Sequence, residues 1–123
     1  MALSLIHIVQ LVCFSVLLAC GQTLFKFSAL STPSLASFSG AVGLVTNLWF
    51  WAAITLYGVS TLLWIYILQQ ISLSIAYPFV ALGFIFVPAI GYLIFKEPIN
   101  LYYMAGVLMI LGGLGLITVL GSK

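Results

Sequence analysis

A chain of 123 residues that is 65% hydrophobic and 3% charged cannot build a water-facing surface, since ordinary globular chains carry about 25% charged residues. Its solvent is the lipid bilayer, and the expected class is an all-α membrane protein. A net charge of +2 without a basic cluster is too small to suggest nucleic acid, and no such partner is expected.

Crossing the hydrocarbon core takes about 20 apolar residues. Four stretches meet that length, at about 3–25, 46–69, 73–95 and 101–121. They predict a single four-helix transmembrane domain over residues 1–123, with a Ser-rich connection at about 27–45. The expected protein is multi-pass.

In the first span, Leu17-Leu18-Ala19-Cys20 has the look of a lipoprotein cleavage site. No Lys or Arg precedes the apolar stretch, so the span is expected to stay as a mature helix. Cys13 and Cys20 would sit roughly 10 Å apart on one helix, beyond disulfide reach, and are read as small apolar packers. Ser4, Ser15, Gln22 and Lys26 share a stripe, with Ala19 beside them and His7 next to it. Gln22 and Lys26 are helical neighbours. An amide and an ammonium there suit a phosphate at the membrane edge, while a lysine at a span end also simply snorkels. His7 is a possible proton carrier, or can hydrogen-bond at the interface. Lys26 is expected to end this span.

In the connection, Thr32-Pro33 reads as an N-cap followed by proline at the first helical position, opening a short interfacial helix. Trp49, Trp51, Tyr102 and Tyr103 lie near span ends, as an aromatic belt requires. The second span places Tyr57, Ser60, Thr61 and Trp64 on one face. In the third, Tyr77, Ala81, Phe84 and Pro88 align, and Pro78 and Pro88 free the carbonyls of Ser74 and Phe84. Such breaks are tolerated where they line a cavity or pack on protein. Two readings of the three faces stay open: one shared polar cavity, or ordinary interhelical hydrogen bonding.

Lys96-Glu97-Pro98-Ile99-Asn100 separates the last two spans. Glu97 is the single acid of the chain and lies in this connection, so no carboxylate sits at mid-membrane to relay protons. The fourth span holds Gly106, Gly112, Gly113 and Gly115 without a strict GxxxG, a weak dimerisation signal. Lys26, Lys96 and Lys123 are too few to fix the orientation. There is no Ser-His-Asp set, no metal cluster and no phosphate-binding glycine loop. The chain is therefore not expected to be an enzyme or to use a metal or cofactor.

Several motifs, in order along nearly the whole chain, resemble small proteins of the drug/metabolite transporter superfamily. Gly21-Gln22-Thr23-Leu24-Phe25-Lys26 looks like their G-Q-x-x-x-K pattern, Ser74-Ile75-Ala76-Tyr77-Pro78 opens the third span as theirs does, and Lys96-Glu97-Pro98-Ile99 resembles their x-E-P turn, followed by Gly106 and Gly112-Gly113. The likeness is greatest to the small subunits of aminoarabinose-phosphoundecaprenol flippases and more distant to the small multidrug resistance exporters. The exporters' membrane glutamate is replaced here by Leu18, their third-span tryptophan by Val80, and their G-x-G by Leu82-Gly83-Phe84.

The resemblance implies a bacterial inner-membrane flippase subunit for an undecaprenyl-phosphate-linked sugar or other small amphipathic substrate. It also implies a homodimer or a heterodimer with a similar subunit. Gln22, Lys26, Tyr77 and Glu97 match the flippase-like pattern; Tyr57, Trp64 and Phe84 join them as candidate substrate-binding residues on the cavity-facing stripes. The alternatives are an exporter of small metabolites or cations, and a non-transporting membrane assembly protein.

Overall fold

The computed structural model describes residues 4–121; Lys123 and the first residue of the expected first span lie outside them. Four helices among the described residues are long and apolar enough to cross a membrane: Leu5–Leu30, Leu48–Leu68, Leu73–Ile94 and Leu101–Gly121. The fold is an all-α four-helix membrane protein.

Helix α1 (Leu5–Leu30) runs past Lys26 instead of ending there. Its 26 residues extend about 39 Å, against a hydrocarbon core of about 30 Å, so α1 is long enough for a charged end to stand in the interfacial layer while still helical. At the other end the Ser4 backbone N–H donates to His7 Nδ1 at 3.4 Å, which makes His7 a capping residue.

The connection holds a short helix, α2 (Phe38–Val45), but Thr32-Pro33 does not open it. Because α1 continues to Leu30, the Thr32 hydroxyl donates back to the Ser28 carbonyl at 2.6 Å. Ser37 takes the cap instead, accepting from the Gly40 N–H at 3.1 Å. Asn47 caps α3 (Leu48–Leu68) by accepting from Phe50 N–H, and its amide donates to the Ser31 hydroxyl at 2.8 Å. One asparagine thus starts α3 and fastens it to the end of α1.

The third span is broken. It comprises α4 (Leu73–Ala76), a 3₁₀ stretch (Tyr77–Leu82) and α5 (Gly83–Ile94), which contains Pro88. Pro78 supplies no amide proton, and the chain tightens there into 3₁₀ winding. The carbonyl that Pro88 frees on Phe84 is met by the Tyr103 hydroxyl at 3.3 Å, from α6 (Leu101–Leu116). A π-helical turn, Ile117–Gly121, ends the last span.

The packed core lies toward one end of the bundle. Leu11 and Phe14 of α1 meet Ile67, Ile71, Ala76, Phe79 and Leu114 there. In lipid such a cluster is held by close packing and not by exclusion of water. Ser15 lies beside it, its single proton shared between the Leu11 and Phe79 carbonyls, 3.0 Å from each. Ser60 and Thr61 bond back to the carbonyls of Leu56 and Tyr57 on their own helix. These hydroxyls of the polar stripes therefore serve the backbone. At the opposite end, where α1 finishes and α6 begins, the packing opens into cavities.

Candidate functional site

Gln22 and Lys26 project from the last turns of α1, one helical turn apart. The Gln22 amide donates to the Tyr57 hydroxyl on α3, which fixes the amide and leaves the phenol's own proton to donate. Tyr57 is held in turn by Phe25, with ring centroids 5.2 Å apart. Gly21 makes this approach possible, because its missing side chain leaves room for the Tyr57 ring.

Lys26 is paired. Its Nζ lies 3.5 Å from Glu97 Oε2 and 6.0 Å from the centre of the Phe95 ring. Glu97 follows Lys96, whose φ of 55° places it in the left-handed region, a strained conformation for a residue with a Cβ. That turn is held by the Gly91 carbonyl, which accepts from both the Phe95 and Glu97 N–H groups. The turn folds the carboxylate over Gly91 of α5, where a Cβ would stand 2.5 Å from Oε1. Glycine at 91 is thus the space that lets Glu97 reach α1.

A cavity of about 300 Å³ opens between these groups, lined by Gln22, Thr23, Phe25, Lys26, Val87, Ile90, Gly91, Phe95 and Glu97. A second, of about 280 Å³, adjoins it across Gln22 and Val87 and includes Phe84, Pro88 and Tyr103. A third, of about 360 Å³, carries the groove past Glu97 to Pro98 and Ile99. The result is a groove along α5 with an amide, an ammonium and a carboxylate at one end of an otherwise apolar wall. It can hold a small polar or zwitterionic group while an apolar chain lies in the bilayer beside it.

The structure brings together Gln22, Lys26, Tyr57, Glu97 and, in the adjoining cavity, Phe84. It places Trp64 and Tyr77 elsewhere. Trp64 stacks on Phe14 with centroids 4.7 Å apart and meets Tyr77 edge-on at 6.5 Å, beside the packed core. The three polar faces therefore do not line one cavity. Sequence reasoning passed over Gly91 and Phe95, and read Tyr103 only as part of an aromatic belt. The signal for Tyr103 was the Phe84 carbonyl already known to be freed by Pro88; nothing in the sequence marked Gly91 as the seat of Glu97. Among the described residues no cluster of His, Cys, Asp or Glu is arranged to hold a metal.

No family model matches the chain, and no solved structure matches it. Curated relatives do. A protein of Enterobacter sp. named probable 4-amino-4-deoxy-L-arabinose-phosphoundecaprenol flippase subunit ArnE is 35% identical over 106 residues, covering 85% of this chain and 90% of the relative. The protein of that name from Pseudomonas fluorescens is 32% identical over 107 residues, covering 83% and 92%. That from Pseudomonas savastanoi pv. phaseolicola is 34% identical over 77 residues, covering 63% and 68%. With that identity over nearly the full length of both chains, this protein belongs to the ArnE family of flippase subunits.

Proposed function

We propose that this chain is a subunit of a flippase that moves an undecaprenyl-phosphate-linked sugar across the bacterial inner membrane, and that it transports without performing chemistry on its substrate. The observation that carries this reading is the convergence of Gln22, Lys26 and Glu97 on one cavity at the interfacial end of α1. A lipid-linked sugar has a charged headgroup that needs polar partners and a tail that needs none. The groove along α5 offers polar groups at one end and an apolar wall beyond, so the headgroup enters the groove while the tail stays in the bilayer. The assignment also fits Leu18, which leaves no carboxylate in the first span for cation exchange against protons.

The working unit is a dimer, with a second copy or a similar subunit. In α6 only Leu114 is buried, and Leu101, Tyr102, Leu108 and Met109 are largely exposed. A Cβ on Gly106, Gly112, Gly113 or Gly115 would meet nothing within 4 Å, which leaves a smooth helix surface for close approach by another helix.

The test is reconstitution into vesicles, alone and with a similar subunit, followed by the transbilayer movement of an undecaprenyl-phosphate-linked amino sugar. Movement above protein-free vesicles is expected. Uptake of polyamines or quaternary ammonium ions without lipid movement would assign the chain to the exporters. Neither activity in any pairing would assign it to membrane assembly.

A further inference from the structure

The Lys26–Glu97 pair is built unlike a structural salt bridge. Its separation of 3.5 Å exceeds the roughly 2.7–2.9 Å of a tight charge-assisted hydrogen bond. Its side chains are 42% and 52% exposed, and both line the cavity of about 300 Å³. Exposed pairs of this kind bias an equilibrium by no more than about fivefold, so the pair opens at little cost. The two charges are also mounted independently. Lys26 stands on α1, while Glu97 is placed by the Lys96 turn and the Gly91 carbonyl. Neither position depends on the other for its backbone.

An open cavity bearing one cation and one anion side by side is the complement of a ligand bearing one of each. We propose that the pair opens onto a zwitterionic headgroup, with Lys26 taking a phosphodiester and Glu97 taking a primary amine, so that Glu97 is a specificity-determining residue for amino-sugar lipids. This inference rests on the flippase reading of the same cavity. The exchange is balanced in charge. A phosphodiester, like the carboxylate it replaces beside Lys26, spreads one negative charge over two free oxygens. The released carboxylate then accepts from the ligand's ammonium, so no charge is left unpaired. A neutral sugar on the same phosphodiester would occupy Lys26 and offer Glu97 a hydroxyl's hydrogen bond but no countercharge. The cavity volume sits at the lower end of the roughly 300–1,000 Å³ of small-molecule sites, a size for a single sugar.

The experiment compares binding of two lipids, undecaprenyl phosphate linked to 4-amino-4-deoxy-arabinose and to arabinose, to the full chain in phosphatidylglycerol nanodiscs, which contain no amine. Wild type is expected to prefer the amino lipid by about tenfold. Glu97→Gln keeps the shape of the side chain over Gly91 and is expected to abolish the preference while still binding both lipids. Because the readout is a ratio within each variant, partial misfolding cancels. Lys26→Ala is expected to weaken both lipids together. A preference that persists in Glu97→Gln, with Lys26→Ala weakened, overturns the role of Glu97 and leaves the flippase reading standing. Unchanged binding of both lipids by Lys26→Ala overturns the phosphate reading itself. In a further arm, phosphatidylethanolamine added to the disc supplies the same phosphodiester and amine from a bulk lipid. Failure to displace the amino-sugar lipid supports the assignment, and equal competition overturns it in favour of the bulk headgroup.

Discussion

Gly21 on α1 faces the ring of Tyr57 on α3 so closely that a Cβ there would stand 2.7 Å from the ring's Cδ2. The same ring carries the hydroxyl that receives the Gln22 amide. Gly21→Ala should therefore push Tyr57 aside, at about 1–3 kcal/mol for overpacking, and separate it from Gln22. Tyr57→Leu in the Gly21→Ala background should recover most of the stability but not the Gln22 contact. Thermal unfolding of the two single variants and the double variant in detergent checks this; additive losses would show that the two positions do not meet.

Tyr103 answers a defect made by Pro88, and that coupling is measurable. Tyr103→Phe should cost about 0.6 kcal/mol, the average for a hydrogen bond within a membrane bundle. In a Pro88→Ala background residue 88 has an amide proton, which bonds the Phe84 carbonyl through the helix itself, so Tyr103→Phe should then cost nothing. Denaturation of the four species forms a double-mutant cycle, and a coupling of zero would refute the pairing.

Ser15 ties α1 to the 3₁₀ stretch through the Phe79 carbonyl. Ser15→Ala should cost no more than about 1.7 kcal/mol overall but loosen Tyr77–Leu82 locally. Hydrogen exchange should speed up at the amides of this stretch and not at α3. Uniform acceleration would mean that the serine supports the bundle generally.

Assembly is expected to run through α6. Gly113→Leu adds a side chain into open space within one protomer, so the protomer's own fold should be unaffected. The dimer should weaken by at least tenfold, as read from mass measurements in nanodiscs at several protein concentrations. A dimer of unchanged strength places the contact on another face.

The four spans were legible in the sequence because apolar length is a direct requirement of the bilayer. The break in the third span and the orphaned Phe84 carbonyl followed from Pro78 and Pro88 for an equally local reason. What the sequence left open was pairing between helices. Periodicity shows that Gln22, Tyr57 and Trp64 face inward, but not at what depth or against which neighbour. Gln22 and Tyr57 meet at the cavity, whereas Trp64, farther along α3, reaches Phe14 and the core. Lys26 read as snorkelling ahead of binding phosphate, and its pairing was not legible, because its partner lies far along the chain and reaches it only through the left-handed turn at Lys96 and the gap at Gly91. The end of α1 was misplaced for a simpler reason: a charge marks the edge of the hydrocarbon, and a helix need not stop there.

The central claim is that the ammonium of Lys26 serves a lipid-borne phosphate. It is tested most directly by the rate at which Lys26→Ala and Lys26→Arg move an undecaprenyl-phosphate-linked amino sugar across reconstituted vesicles at matched protein content. Once a headgroup fills the cavity and displaces water from the ammonium, a charged hydrogen bond contributes about 1.5–3 kcal/mol, which corresponds to roughly ten- to a hundredfold. Lys26→Ala should lose activity by that factor, and Lys26→Arg should keep much of it, because both cations bond phosphate. Equal rates for Lys26→Ala and wild type would contradict the account and leave Lys26 as a surface partner of Glu97 alone.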